Sequence, residues 1–300
     1  MVHGARLRRM GAKLLVVLFS SFFEVTSTNL DGTTVLITAP PSYSSRLKAP
    51  LENAGAKVVA CPTIVTDLMS DQELQSLREV IHDASSYDFL AFTSRRGIQA
   101  AMQVGGTTLI QALQKQAPTA IALGKDVEPL LSAGIDRSCI LTPDNPSPDG
   151  IVSLLESMYL VEKRKNVRIL CPVPKVIGEL SEPPVVPNFL ANLRRKGFEV
   201  HSVNAYITRL ADFQANSVKE AMKMLKDGII SVVCVSSTAE VEAFLLFCQR
   251  YQVEWKHVKI AAHGPVTASG AQALGVTVHA VSKDSSSFYG MVEAVTECMS

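Results

Sequence analysis

Short apolar runs followed by hydroxyl-rich turns recur along the chain. The clearest is Tyr87–Ile98, YDFLAFTSRRGI. Phe89–Phe92 are apolar, Thr93 and Ser94 follow, and a helix-like segment opens at Ile98 after Arg95, Arg96 and Gly97. A short, wholly apolar run bounded by turn residues reads as a buried strand of a parallel sheet. The polar residues just past its end stand where open α/β sheets bind ligands. Ile229–Phe244, IISVVCVSSTAEVEAF, repeats the grammar: apolar strand, hydroxyl turn, helix.

The repetition is ordered and covers most of the chain. Val35–Ala39 and Val167–Cys171 open the two copies, and each leads through a helical segment to a glycine, Gly55 or Gly197, with a valine-bearing strand beyond it. Third strands follow at Ala120–Gly124 and Ile260–Gly264, then helix-like stretches Val127–Ala133 and Thr267–Leu274, stopped by Gly134 and Gly275. Both copies close alike, at Pro148–Val152 and Phe288–Val292. The fold class implied is α/β, with two similar domains, each a parallel sheet flanked by helices.

Local signals refine this. Pro40-Pro41 and Ser42–Ser45 read as a turn, and Leu47, Leu51 and Ala54 as a helical stripe that Pro50 bends or delays. Val58–Val65 reads as a single strand. Ser70 with Glu73, and Ser217 with Glu220, have capping-box spacing. Gly105–Thr108 breaks the helix after the central strand, and Gly178–Asn188 is a proline-rich loop with no counterpart in the first copy. His201–Arg209 is a polar-looking strand that contains Tyr206.

Composition narrows the function. Hydrophobic residues make up 47% and charged residues 19% of 300, which fits a cored globular protein. Lys+Arg of 29 against Asp+Glu of 28, with no basic block after the first fifteen residues or so, leaves no electrostatic footprint for nucleic acid. Six scattered cysteines with no CxxC spacing read as reduced thiols rather than disulfides or a zinc site. The six histidines show no metal spacing, and no GxGxxG, GxxxxGK[ST] or GxSxG signature appears, so neither cofactor nor metal is expected.

Residues 1–32 read as a presequence or disordered lead. Met1–Lys13 carries Arg6, Arg8, Arg9 and Lys13 without an acid, and Leu14–Phe23 is apolar but too short to span a bilayer comfortably. An organellar presequence, a secretory signal and a misassigned start exon all fit, and unpaired cysteines weigh against secretion. The expected destination is an organelle, plastid ahead of mitochondrion, with the cytoplasm as the alternative, and no stable membrane insertion. What does recur is helix N-termini at sheet edges, preceded by Ser, Thr or Gly. Such ends bind anions through unpaired N–H groups and the helix dipole. Two domains facing each other would line a cleft with several of them, suiting a ligand with many carboxylates or phosphates.

The ordered set of motifs resembles the uroporphyrinogen-III synthase family. Ile37-Thr38-Ala39-Pro40 resembles its opening V-T-R-P, and Asp88–Ile98 its D-W-L-V-F-T-S-x-x-G-V. Tyr206-Ile207-Thr208 resembles Y-x-T, Val233–Ser236 the second F-T-S, and Gly264–Gly275 its G-P-x-T-A-x-A-L-x-x-x-G. The resemblance implies cofactor-free cyclisation of hydroxymethylbilane, a linear tetrapyrrole with eight carboxylates, by a monomer. The terminal hydroxyl leaves as water, the last pyrrole ring is inverted through a spiro intermediate, and the macrocycle closes. It also implies a two-stranded connector, with residues 33–65 and 205–300 in one domain and 66–204 in the other. Tyr206 falls on the position of the general acid. Thr38, Ser94, Ser236, Ser237, Gly264 and Thr267 fall on substrate contacts, and Arg95, Arg96, Lys175 and Arg209 on carboxylate partners. The chain departs from the pattern at Ala39, at Val127 and in Cys171–Lys175. A non-catalytic member that binds a tetrapyrrole or another polycarboxylate stays open beside the enzyme.

Overall fold

A computed structural model describes residues 29–162, 166–284 and 287–300, so most of the presequence expected over 1–32 lies outside the described residues. The folded part begins slightly earlier than the sequence suggests. Leu30 is fully buried and its N–H donates to the Ala54 carbonyl at 2.7 Å.

Two sheets organise the molecule. The first has β1 (Thr34–Ile37) between β2 (Lys57–Ala60) and β9 (Val232–Val235), then β10 (Lys259–Ala262) and β11 (Ala280–Val281), all parallel. The second has the order β3 (Ile64–Leu68), β8 (Glu199–Leu210), β7 (Arg168–Val176), β4 (Phe89–Phe92), β5 (Thr119–Ala122), β6 (Ile140–Leu141). All its pairings are parallel except β3 with β8, which is antiparallel.

Both copies of the repeat are therefore split between the sheets. The first sheet takes its opening β1–β2 from the N-terminal copy and β9–β11 from the C-terminal one; the second takes β4–β6 and β7–β8 the other way round. The chain crosses between sheets in two places, at Cys61–Thr63 and just after Leu210. The single strand read over Val58–Val65 is thus two strands in different sheets. Pro62, which has no N–H to give a ladder, lies at the corner between them. The boundaries implied at residues 66 and 204 fall inside β3 and β8, both hydrogen-bonded in the second sheet.

Each sheet is covered on both faces, which is why its central strands are apolar throughout rather than alternating. Along β9, Val233 and Val235 pack with α7 (Asn216–Lys226), α8 (Thr238–Tyr251) and α9 (Pro265–Ala273). Val232 and Cys234 face α1 (Pro41–Asn53) and α10 (Phe288–Met299). Along β4, Leu90 and Phe92 face α2 (Gln75–His82) and α3 (Arg95–Gln114), while Phe89 and Ala91 face α5 (Pro148–Glu162) and α6 (Val185–Arg195).

Several local readings need correction. Ser42–Ser45 belong to the first turns of α1, which starts with Pro41 at a position where a missing N–H costs nothing. The Ser70–Glu73 box forms, with Ser70 N–H donating to Glu73 Oε2 at 3.0 Å. Ser217–Glu220 does not, because α7 starts before Ser217 and its N-cap is Ala215. The break expected over Gly105–Thr108 is present: α3 is interrupted at Gly106, whose φ of 48° and ψ of −140° are not helical and suit glycine. Cys171–Lys175, where the chain departs from the family pattern, is part of β7, with a bulge at Val173/Pro174. The proline-rich loop of the second lobe reaches back to the first: Ser181 N–H donates to Glu242 of α8 at 3.0 Å, and Arg250 pairs with Glu179.

A cleft between two lobes as the candidate active site

The C-terminal ends of the central strands of both sheets open into one cleft, floored by β3 and β8. It forms two connected chambers of about 400 and 410 Å³ that share Ile64, Thr66, Thr93, Tyr206 and Ser236. The chain enters six helices at its walls. Their first-turn or capping residues include Tyr43, Ser94, Ser147, Val185, Ser237 and Gly264. Ser94 and Ser236, from opposite lobes, line the same chamber.

The chambers differ in chemistry. One carries Arg46, Arg95 and Arg96 with Asp126 and Glu240. The other is built from Pro146, Pro148, Pro174, Pro183, Pro265 and neighbouring valines, with Glu182 as its charged side chain. An apolar wall beside a cationic one suits a ligand with flat rings and peripheral carboxylates.

Strand parity decides which side chains reach the floor. Successive residues of a strand face opposite sides. Pro174 and Val176 of β7, Tyr206 and Thr208 of β8, and Ile64 and Thr66 of β3 face the cleft. Lys175 and Arg209 therefore face away. Lys175 lines a groove with Glu73, Glu79 and His201, and Arg209 pairs with Asp67 at 2.8 Å. Neither is placed to meet a carboxylate in the cleft, contrary to the sequence reading.

Tyr206 is 7% exposed, and it lines the same chamber as Ser94. Burial raises its pKa above the usual phenol value, only partly countered by Ser94. It stays protonated at neutral pH and donates hydrogen bonds more readily than it gives up its proton. Ser94 also caps α3 by accepting from Gly97 N–H at 3.1 Å. Arg95 pairs with Glu128, an exposed pair that a ligand carboxylate can displace at little cost. Arg96 is braced by Thr66 and Gln99, at 3.3 and 3.0 Å.

The opposite corner is built differently. Glu240, unremarked in the sequence, is 1% exposed and sits in the first turn of α8. Its carboxyl accepts from Ser236 N–H (2.9 Å), the Ser236 hydroxyl, the Ser237 hydroxyl (3.2 Å) and Thr38 Oγ1 (3.0 Å). Burial pushes its pKa up despite these donors. Thr38 is fully buried and borders neither chamber; it braces Glu240 rather than touching a ligand. The Ser236 and Ser237 hydroxyls reach the cleft with their protons turned toward Glu240. Thr267 donates to the Ser236 carbonyl at 3.0 Å, and Gly264 caps α9.

Capping geometry also shifts the internal match by one residue. Ser237, not Ser236, occupies the place of Ser94: it caps α8 by accepting from Glu240 N–H at 3.3 Å, three residues on. A second polar pair at the cleft was missed by pattern. Tyr43 Oη lies 2.7 Å from His263 Nδ1, and both side chains line the chamber. Only their nearness across α1 and β10 could have shown it. No cluster of metal-ligating side chains exists among the described residues, and no described helix is long and apolar enough to cross a membrane.

The family model described as "Uroporphyrinogen-III synthase HemD" matches residues 45–292. The chain belongs to the uroporphyrinogen-III synthase family. A relative from Methanothermobacter thermautotrophicus that carries this synthase name provisionally is 23% identical over 245 residues, 80% of this chain and 89% of its own. Among solved structures, a mutant uroporphyrinogen III synthase of Thermus thermophilus aligns with a TM-score of 0.56 at 17% identity, covering 89% of this chain and 98% of that one. The Helicobacter pylori uroporphyrinogen-III synthetase aligns with a TM-score of 0.53 at 15% identity, covering 88% and 98%. At these identities the structures establish the shared two-domain α/β fold.

Proposed function

We propose that the chain is a uroporphyrinogen-III synthase, closing hydroxymethylbilane to uroporphyrinogen III with loss of water and inversion of the terminal ring. Family membership supports the reaction class, a cofactor-independent lyase of tetrapyrrole biosynthesis. The observation that carries the reading is the shared chamber lined by Tyr206 and Ser94 from one lobe and Ser236 from the other, under a ring of helix N-termini. The reaction asks mainly for positioning, because the pyrroles themselves stabilise the azafulvene cation once the hydroxyl has gone. The arginine-bearing chamber and the helix ends hold the carboxylates, and the proline-walled chamber takes ring faces. Tyr206 serves as a hydrogen-bond donor that orients the reacting end.

The purified full chain supplied with hydroxymethylbilane should release isomer III. Isomer I alone, the spontaneous product, would refute the reading. Tyr206→Phe should lower the rate of isomer III formation roughly 10-fold, less than the ~10²–10⁴-fold of a group that transfers the proton itself, because it only orients the reacting end. A second reading has the chain bind a tetrapyrrole or other polycarboxylate without turnover. What favours it is the Ser236 corner, where Glu240 already takes the N–H and hydroxyl donors. That reading predicts a thermal shift with uroporphyrinogen, no isomer III, and no effect of Tyr206→Phe.

A further inference from the structure

This inference deepens the synthase reading and rests on it. Expelling a hydroxyl from hydroxymethylbilane requires a proton at the departing oxygen, and the cleft offers few side chains that can supply one. Arg46, Arg95 and Arg96 do not release protons near neutrality. Asp126 and Glu182 meet a polyanionic guest with like charge, and the Glu240 carboxyl, 1% exposed, is taken up by its Ser236, Ser237 and Thr38 partners. Tyr206 and Tyr43 both hold their protons more tightly than a free phenol, chiefly through burial, with the Glu240 charge adding to the effect at Tyr43. His263 is the one described side chain lining the chambers whose type titrates between about pH 5 and 8.

Its placement is specific. His263 directly follows β10, stands immediately before Gly264, the cap of α9, and borders both chambers. Tyr43 Oη sits 2.7 Å from Nδ1, with the rings edge to face at 5.4 Å. Tyr43 packs in turn edge-on against Phe288 at 5.1 Å, so α1 and α10 together fix the imidazole orientation. A phenol that keeps its proton can donate to Nδ1 of the neutral ring and accept from it once the ring is charged. Tyr43 thus partners both states of the imidazole.

We propose that His263 is the proton donor of the reaction. Its imidazolium protonates the terminal hydroxyl, the C–O bond breaks, water leaves, and the cationic azafulvene remains. The neutral imidazole then takes back the proton shed from the pyrrole carbon at ring closure, so the donor is restored. Tyr206 stays a positioning residue.

The test uses the full chain, hydroxymethylbilane and a pH series between about 5 and 8. Wild-type kcat should fall as the pH rises through the imidazole range. His263→Asn, which keeps a partner for Tyr43, should lower kcat roughly 10²-fold, leave KM within about threefold, and lose that limb of the profile. Unchanged melting temperatures of His263→Asn and His263→Gln show that folding is intact. If both variants misfold, the wild-type profile decides, and a flat kcat overturns the proposal. Variant activity within about threefold of wild type with the limb preserved also overturns it, while wild-type isomer III leaves the synthase reading standing. Isomer I alone from the wild type removes both.

Discussion

The two corners that face each other across the cleft are the same structural piece with opposite chemistry. Leu90 pairs with Leu170 in the second sheet as Val233 pairs with Leu36 in the first, which makes Pro172 and Thr38 counterparts two residues further on. Ser94 and Ser237 cap the helices that follow, each accepting from the N–H three residues later. That third residue is Gly97 in one corner and Glu240 in the other. A Cβ on Gly97 would meet the Pro172 carbonyl oxygen at 3.1 Å, so any side chain there asks the β7 backbone to give by a few tenths of an ångström. Where Pro172 is replaced by Thr38, the space holds a carboxyl, and Thr38 donates to it. The first corner turns Arg95 and Arg96 to the cleft; the second turns its hydroxyl protons inward. Duplicated scaffold therefore does not mean duplicated chemistry: one lobe offers arginines to the cleft while the other is braced from behind.

The comparison can be broken at Glu240. Glu240→Ala strands the Ser236 N–H and hydroxyl without their acceptor, while Thr38 keeps the Cys234 carbonyl at 2.9 Å; the change should cost about 3 kcal/mol by chemical denaturation. Glu240→Gln adds a pH test. The folded-state pKa of Glu240 is raised, so the proton is bound more tightly in the folded form. Its contribution is fully present below the ordinary glutamate range and is lost as pH rises through the folded pKa. Wild-type stability should therefore decline across that interval, and the Gln variant should decline less; parallel curves would remove Glu240 from the account. Gly97→Glu asks the converse question. The first corner takes the side chain only if β7 shifts, and overpacking against β7 should destabilise by about 2 kcal/mol. An unchanged denaturation midpoint would show that the corners are interchangeable after all.

Charge sharpens the contrast at the next level down. Arg96→Ala should raise KM for hydroxymethylbilane about 10-fold, the loss of one charge-assisted hydrogen bond, while Lys175→Ala on the opposite face of the sheet leaves KM unchanged. Equal effects would mean that parity along β7 does not govern access. Smallest of all, Ser94→Ala should cost about 1 kcal/mol, the usual worth of an N-cap. Ser237→Ala should cost more, because it removes both a cap and a donor to Glu240.

What could be read from the chain followed from local grammar. Apolar strands ending in hydroxyl turns gave β4, β9 and the position of Ser94, because burial and turn chemistry are written within a dozen residues; Tyr206, in a polar-looking strand, was singled out only by the family likeness. The swap of opening strands was not written locally; it entered only through a family likeness, since β1 and β9 are far apart in sequence and share no pattern. Pro62 marks the corner between β2 and β3, but one proline in an apolar run also fits an edge strand. Lys175 was misplaced because parity is known only once the strand and its bulge are known. Two adjacent serines hid which one caps α8. Glu240 looked ordinary because an acid in a helix's first turn complements the dipole at most surfaces; its burial depends on Thr38, some two hundred residues earlier. Tyr43 and His263 are separated by a similar length of chain.

The connection of the sheets also sets an order of events during synthesis. Residues 64–210 supply the whole six-stranded sheet in one uninterrupted stretch, so that lobe is complete while the chain is still growing. The strand made first, β1, has to wait, because Val35 lies beside Val232 and that neighbour is translated late. Domains fold as units as they emerge, so the inserted lobe leads and the lobe that bears both chain ends closes around it afterwards. Throughout that interval the nascent N-terminal βαβ segment keeps one edge of the apolar β1 without its neighbour.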